Sequence, residues 1–179
     1  MRLFLYISIS FYFFISLLFA EETRQVDKHE HGVGELNIAI QSNTMVLEFM
    51  IPGADIVGFE YEAKSEQDKA TVNAALTKFE DYNNIFIIPT NSKCLLVSSK
   101  ININQEDDHD EHQEEAHNEF YAKYTFECGD IKSLDLLEFP YFETFSNYGE
   151  LEVQFVSEIG STSFEVEADS PIINIEGKI

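Results

Sequence analysis

Between Glu35 and Pro52 apolar and polar residues partly alternate. Leu36, Ile38 and Ile40 fall on one side of an extended chain, the polar run Gln41-Ser42-Asn43-Thr44 interrupts, and Val46-Leu47-Glu48-Phe49 follows. A period of two on either side of a short polar run predicts a β-hairpin that ends at Pro52-Gly53. Further on the period lengthens, with Val72, Leu76 and Phe79 at helical spacing behind Ser65-Glu66-Gln67-Asp68. Ser65 as N-cap and acids in the first turn predict one main helix that stops near Tyr82-Asn83-Asn84.

After a short apolar run from Ile85 to Ile88, two longer strand-like stretches begin at Cys94 and end at Cys128, separated by Asn104 to Glu119. Pairing them antiparallel sets Cys94 opposite Cys128, Leu96 opposite Phe126 and Lys100 opposite Ala122. A second hairpin is expected from Glu150 to Val156 and Ser163 to Glu167, turning at Glu158-Ile159-Gly160-Ser161, beyond Leu134 to Leu137, a break at Pro140 and an aromatic connector from Tyr141 to Phe145. Gly34-Glu35-Leu36-Asn37-Ile38 and Gly149-Glu150-Leu151-Glu152-Val153 are alike, which suggests a weak internal duplication, with chance resemblance as the alternative. The expected fold is therefore α+β and mainly β: two β-rich halves with a pseudo-two-fold relation, one main helix, and a long hairpin framed by the cysteines with an acidic, histidine-bearing tip.

The ends change this picture at the N-terminus. Met1-Arg2-Leu3 followed by an apolar run to Ala20, then Glu21-Glu22, has the pattern of a cleaved secretory signal peptide. Residues 21–179 are then expected to form a single domain with a flexible loop at about 104–119, in the periplasm and without membrane insertion. In that oxidising compartment the two cysteines are expected to form a disulfide rather than bind zinc, stabilising the fold by about 3 to 4 kcal/mol in the chain-entropy model. The formal net charge is −22, and loss of Arg2 with the signal peptide makes it −23. Such a chain repels nucleic-acid phosphate, offers no basic patch, and attracts metal ions and basic proteins.

The candidate chemistry lies in the histidines, all five of which fall in two clusters. In His29-Glu30-His31 alternate side chains of an extended chain point the same way, so two imidazoles can face one cation, with Gly32 and Gly34 letting the backbone bend around it. Two solvated histidines in a loose terminus are the alternative. In the tip, His109, His112 and His117 stand among Glu106, Asp107, Asp108, Asp110, Glu111, Glu114, Glu115 and Glu119, with no lysine or arginine between Lys100 and Lys123. Dense carboxylate lowers the local potential and attracts a divalent cation. Imidazole selects zinc, or copper or nickel, over calcium and magnesium, which prefer oxygen. The alternative here is a solvated acidic loop. Gly-X-Ser-X-Gly, phosphate-loop and His-Glu-X-X-His motifs are missing from the sequence, so no enzyme is expected.

Taken together, His29-Glu30-His31-Gly32, Gly34-Glu35-Leu36-Asn37-Ile38, Val57-Gly58-Phe59-Glu60, the helix after it and the Cys94 and Cys128 pair resemble the zinc-regulated periplasmic zinc-binding proteins of the ZrgA type. The resemblance covers nearly the whole chain after residue 20. It implies a part in zinc acquisition beside an inner-membrane uptake system, with His29 and His31 as ligands of an ordered site and His109, His112 and His117 in a mobile one. Family members often carry histidine after the Gly-Phe-Glu motif, where this chain has Tyr61, so Glu60 or Glu62 would have to supply the missing ligand. Three functions compete on this reading: a zinc buffer or delivery protein, an acidic exported module that binds a basic protein without metal, and an uptake receptor with one rigid site.

Overall fold

The computed structural model describes residues 32–105, 118–145 and 149–179. The expected signal peptide, His29, His31 and the three tip histidines lie outside the described residues.

The first hairpin forms as its pattern predicts. Strands β1 (Val33–Gln41) and β2 (Thr44–Pro52) pair antiparallel from Glu35 opposite Met50 to Gln41 opposite Thr44. The turn is the two residues Ser42 and Asn43, and Ser42 carries the positive φ (55°) that a tight hairpin turn asks of its first central residue. Leu36, Ile38 and Ile40 of β1 and Met45, Leu47, Phe49 and Ile51 of β2 point into the core.

Short helix α1 (Gly53–Val57) follows β2 and closes on Gly58, which is left-handed at φ 82°. Helix α2 (Glu66–Glu80) is the predicted one: the Ser65 hydroxyl accepts from the backbone N–H of Asp68 at 3.0 Å, and Glu66 and Asp68 occupy the first turn. Its inner stripe is Val72, Ala75 and Phe79, with Leu76 half-buried. Phe79 stacks on Phe120 at 6.0 Å and on Phe145 at 5.1 Å between ring centres. Its carbonyl accepts from the buried Tyr124 hydroxyl at 2.6 Å. Helix and sheet are thus joined both by apolar burial and by a satisfied polar pair.

Strands β3 (Cys94–Gln105) and β4 (Asn118–Cys128) form the expected long hairpin, and Cys94 and Cys128 stand opposite each other as a disulfide. Leu96 faces Phe126 as expected, but Lys100 faces Lys123 instead of Ala122. A bulge between Leu96 and Ser98 sets one extra residue, Val97, into β3 and shifts the register by one beyond it. Ladder pairing continues to Asn104 opposite Glu119 and Gln105 opposite Asn118, so the ends of the expected 104–119 loop belong to the strands.

The chain then runs through β5 (Leu136–Glu138) and α3 (Tyr141–Thr144) into β6 (Glu150–Ser157), β7 (Gly160–Val166) and β8 (Ile172–Asn174). The β6–β7 turn is Glu158-Ile159, with Ser157 opposite Gly160, one position earlier than expected. β5 and β8 form a separate two-stranded sheet. The other strands form one mixed sheet of order β3-β4-β2-β1-β6-β7.

This continuous sheet replaces the expectation of two β-rich halves. β1 and β6 are direct parallel neighbours, and Gly34 pairs with Leu151 while Leu36 pairs with Val153. The two similar sequences therefore put their apolar residues on the same face, two positions out of register. A two-fold axis along the strands would put them on opposite faces. One face of the sheet is covered by α2, the Ile85-Phe86 segment, β5, α3 and the C-terminal chain, and the core lies between. The other face carries Glu35, Asn37, Glu48, Lys123, Glu152 and Glu165 toward solvent, the one-sided burial common in antiparallel sheets.

Candidate metal centre

Register fixes which residues share an end of the sheet. Val33 at the start of β1 lies beside Glu150 at the start of β6, and Pro52 at the end of β2 lies beside Glu119, which in turn faces Asn104. Glu35 pairs with Met50, so the start of β1 is level with the end of β2. Gly32 and Asn118, which follow His31 and His117 directly in the chain, are thus at the same end. Only β2 separates β1 from β4, so their ends are about 10 Å apart at the usual strand spacing.

Gly32 takes φ 88°, and its carbonyl accepts from the N–H of Glu150 at 2.7 Å. A Cβ at Gly149 would run into that carbonyl, so Gly149 lets β6 come up against the residue after His31. Gly34 differs from expectation. It is buried in β1, and a Cβ there would stand 2.9 Å from Leu151 Cδ2, so its smallness serves packing between strands and not a bend around an ion.

On the other side, the turn after α1 is tied to the start of β4. The backbone N–H of Asn118 donates to Glu60 O at 2.8 Å, and the Asn118 side-chain amide donates to Tyr61 O at 2.6 Å. Glu60 is thereby held against the residue that follows His117. Tyr61 is 52% exposed and stacked on Phe59 at 4.6 Å between ring centres. Its ring lies in a surface stack, and a phenol offers no imidazole nitrogen at the position after Glu60.

Four acidic residues belong to this end of the sheet: half-buried Glu60 and Glu150, and buried Asp55 and Glu119. Asp55 and Glu119 were not singled out by sequence reasoning. Asp55 sits in a short helix with no metal-ligand spacing, and in sequence Glu119 is indistinguishable from the other acids of the tip. The Asp55 charge acts on Tyr141: burial chiefly, and Asp55 second, push that phenol far above the usual range. Among the described residues no group of three or more His, Cys, Asp or Glu side chains comes close enough to hold a metal ion. Cys94 and Cys128 are consumed in the disulfide, at the opposite end of β3 and β4. No helix among the described residues is long and apolar enough to cross a membrane.

Comparison with known proteins adds one positive finding. The model of a family described as ZrgA family zinc uptake protein matches residues 28–175, a span that takes in His29, His31, Glu60, both cysteines and the whole tip. No curated protein matches the chain.

Proposed function

The chain belongs to the ZrgA family of zinc uptake proteins, and from that premise we propose that it is a non-catalytic periplasmic zinc binder, acting as a buffer or delivery partner for an inner-membrane uptake system. One observation carries the reading: the two histidine stretches join the fold at Gly32 and Asn118, at one end of one sheet, an end that also carries the acidic residues Glu60, Glu119 and Glu150. On this proposal His29 and His31 hold zinc in an ordered site, with Glu60 adding an oxygen ligand where Tyr61 supplies none. His109, His112 and His117 gather the ion in the acidic tip and present it to the ordered pair. The carboxylates lower the potential at that end, which favours cation entry. Copper and nickel suit the same imidazoles, so the family assignment is what favours zinc.

The Cys94–Cys128 disulfide accords with export, because such bonds persist in oxidising compartments. Elemental analysis of the protein recovered from its own compartment tests the metal directly. The proposal expects zinc at one equivalent or more; copper or nickel in its place, or no metal at all, would contradict it.

A second reading rests on a different observation. Glu35, Glu152 and Glu165 are register partners on three neighbouring strands and line one row of the exposed face. As an acidic docking face this row would take a basic protein. Pull-down of such a partner should then be lost in high salt yet persist in chelator and in a variant lacking all five histidines.

A further inference from the structure

The ladder registers set the outward side chains of the large sheet in rows that cross all its strands. One row is Ser98, Thr125, Val46, Ala39, Val156 and Ser161, with no charge and no side chain larger than valine. The next row runs from Lys100 and Lys123 to Glu48 and Asn37, and the one after it ends in Glu35, Glu152 and Glu165. Cations therefore stand on β3 and β4, and an acidic run stands on β1, β6 and β7. Lys100 Nζ lies over the Tyr121 ring at 5.5 Å and Lys123 pairs with Glu48 at 3.1 Å, which keeps both cations on this face.

The layout is complementary to itself. A two-fold axis parallel to the strands, midway between β2 and β1, lays a second copy over the face with β3 over β7, β4 over β6 and β2 over β1. Each row then meets its own copy. Val46 falls opposite Ala39 at the centre, where small side chains let two sheets reach their usual spacing of about 10 Å. Glu48 falls opposite Asn37, Tyr121 opposite Glu152 and Asn102 opposite Glu165, so in these rows no carboxylate meets a carboxylate. Lys123 and Lys100 fall opposite Gln154 and Ser163. Glu152 and Glu165 are then one row away, about 7 Å along the strand and within reach of a lysine side chain.

Three rows across the sheet cover about 600 Å² on each copy at the usual strand spacing and rise, or about 1,200 Å² in all, the lower limit for a stable interface. A reversible interface need be no more apolar than the rest of the surface. At about 0.15 M salt the Debye length is about 8 Å, which confines repulsion between two acidic chains to groups near the contact.

We propose that this face binds a second copy of the chain, face to face about that axis, as a reversible dimer. The dimer covers the acidic row that the second reading offers to a basic protein, so the two exclude each other. It uses neither histidine stretch, and its success or failure leaves the zinc reading untouched.

Analytical ultracentrifugation of the chain from Glu21 onward, in chelator and about 0.15 M salt, tests it from about 1 to 200 µM protein. A dimer is expected with a Kd of about 10 to 100 µM. Ala39→Arg, at the exposed centre, should abolish the dimer and leave circular dichroism and thermal unfolding unchanged. Lys100→Glu should weaken it about tenfold, and Lys100→Glu with Glu165→Lys should restore it to within about threefold of the parent. A monomer throughout the range would overturn the proposal. So would a dimer undiminished by Ala39→Arg, or one that the paired charge reversal fails to restore.

Discussion

The backbone N–H of Asn118 donates to the carbonyl of Glu60 at 2.8 Å, which ties the turn after α1 to the strand that emerges from the acidic tip. Glu60 is thereby kept at the end of the sheet where both histidine stretches enter. If it completes the ordered site, Glu60→Gln should lower zinc affinity about tenfold, since a neutral amide is a poorer ligand than a carboxylate. Competition against a chromophoric chelator reads this out, and unchanged affinity would remove Glu60 from the ligand set.

The disulfide closes a separation of 34 residues across the tip. Replacing both cysteines by alanine should cost about 3 to 4 kcal/mol if chain entropy dominates. Urea denaturation of variant and parent under oxidising conditions measures this. Reductant should destabilise the parent and leave the double variant unchanged.

Gly149 permits the close approach to the Gly32 carbonyl. Gly149→Ala should force β6 away from the start of β1, destabilising the fold by about 1 to 3 kcal/mol as overpacking does. Thermal unfolding checks the stability, and zinc titration of the folded fraction should show a weakened ordered site. A variant with parental stability would mean that the two segments part without cost.

Tyr124 and Tyr141 both have pKa values raised far above the ordinary phenol value, chiefly by burial, with nearby Asp81 and Asp55 adding to it respectively. Below pH 10 both are protonated in the folded and unfolded chain, so they add no pH dependence there. Above pH 10 the unfolded chain releases two protons that the folded chain keeps, and stability falls with a slope of about 2.7 kcal/mol per pH unit. Denaturation midpoints measured from pH 8 to 11 should be flat at first and then decline. Ultraviolet titration should show these two tyrosines ionising only as the protein unfolds.

Much of the fold was legible in the sequence because burial is one-sided. Leu36, Ile38 and Ile40 announce β1 by alternation, and Ser65 with Val72 and Phe79 announces α2 by capping and period. The Lys100 register was not legible, because a bulge at Val97 leaves no mark in a stretch where Leu95, Leu96 and Val97 are all apolar and exposed. β5 and β8 are three residues each, too short to show a period, and depend on tertiary packing of Leu137 and Ile173. The parallel pairing of β1 with β6 is likewise invisible locally, since like sequences indicate similar strands without saying where they sit. At the site, residue type and clustering revealed the histidines. That Asp55 and Glu119 are buried at the same end became apparent only from the register.

The most direct test is calorimetric titration of the metal-free chain with zinc at pH 7.5, beside a His29→Ala/His31→Ala variant, a His109→Ala/His112→Ala/His117→Ala variant and their combination. One tight component should be lost in the first variant and weaker graded binding in the second. Both should fade as pH falls below about 6.5, where imidazolium cannot ligate. No zinc uptake at micromolar metal, or undiminished uptake by the chain lacking all five histidines, would contradict it.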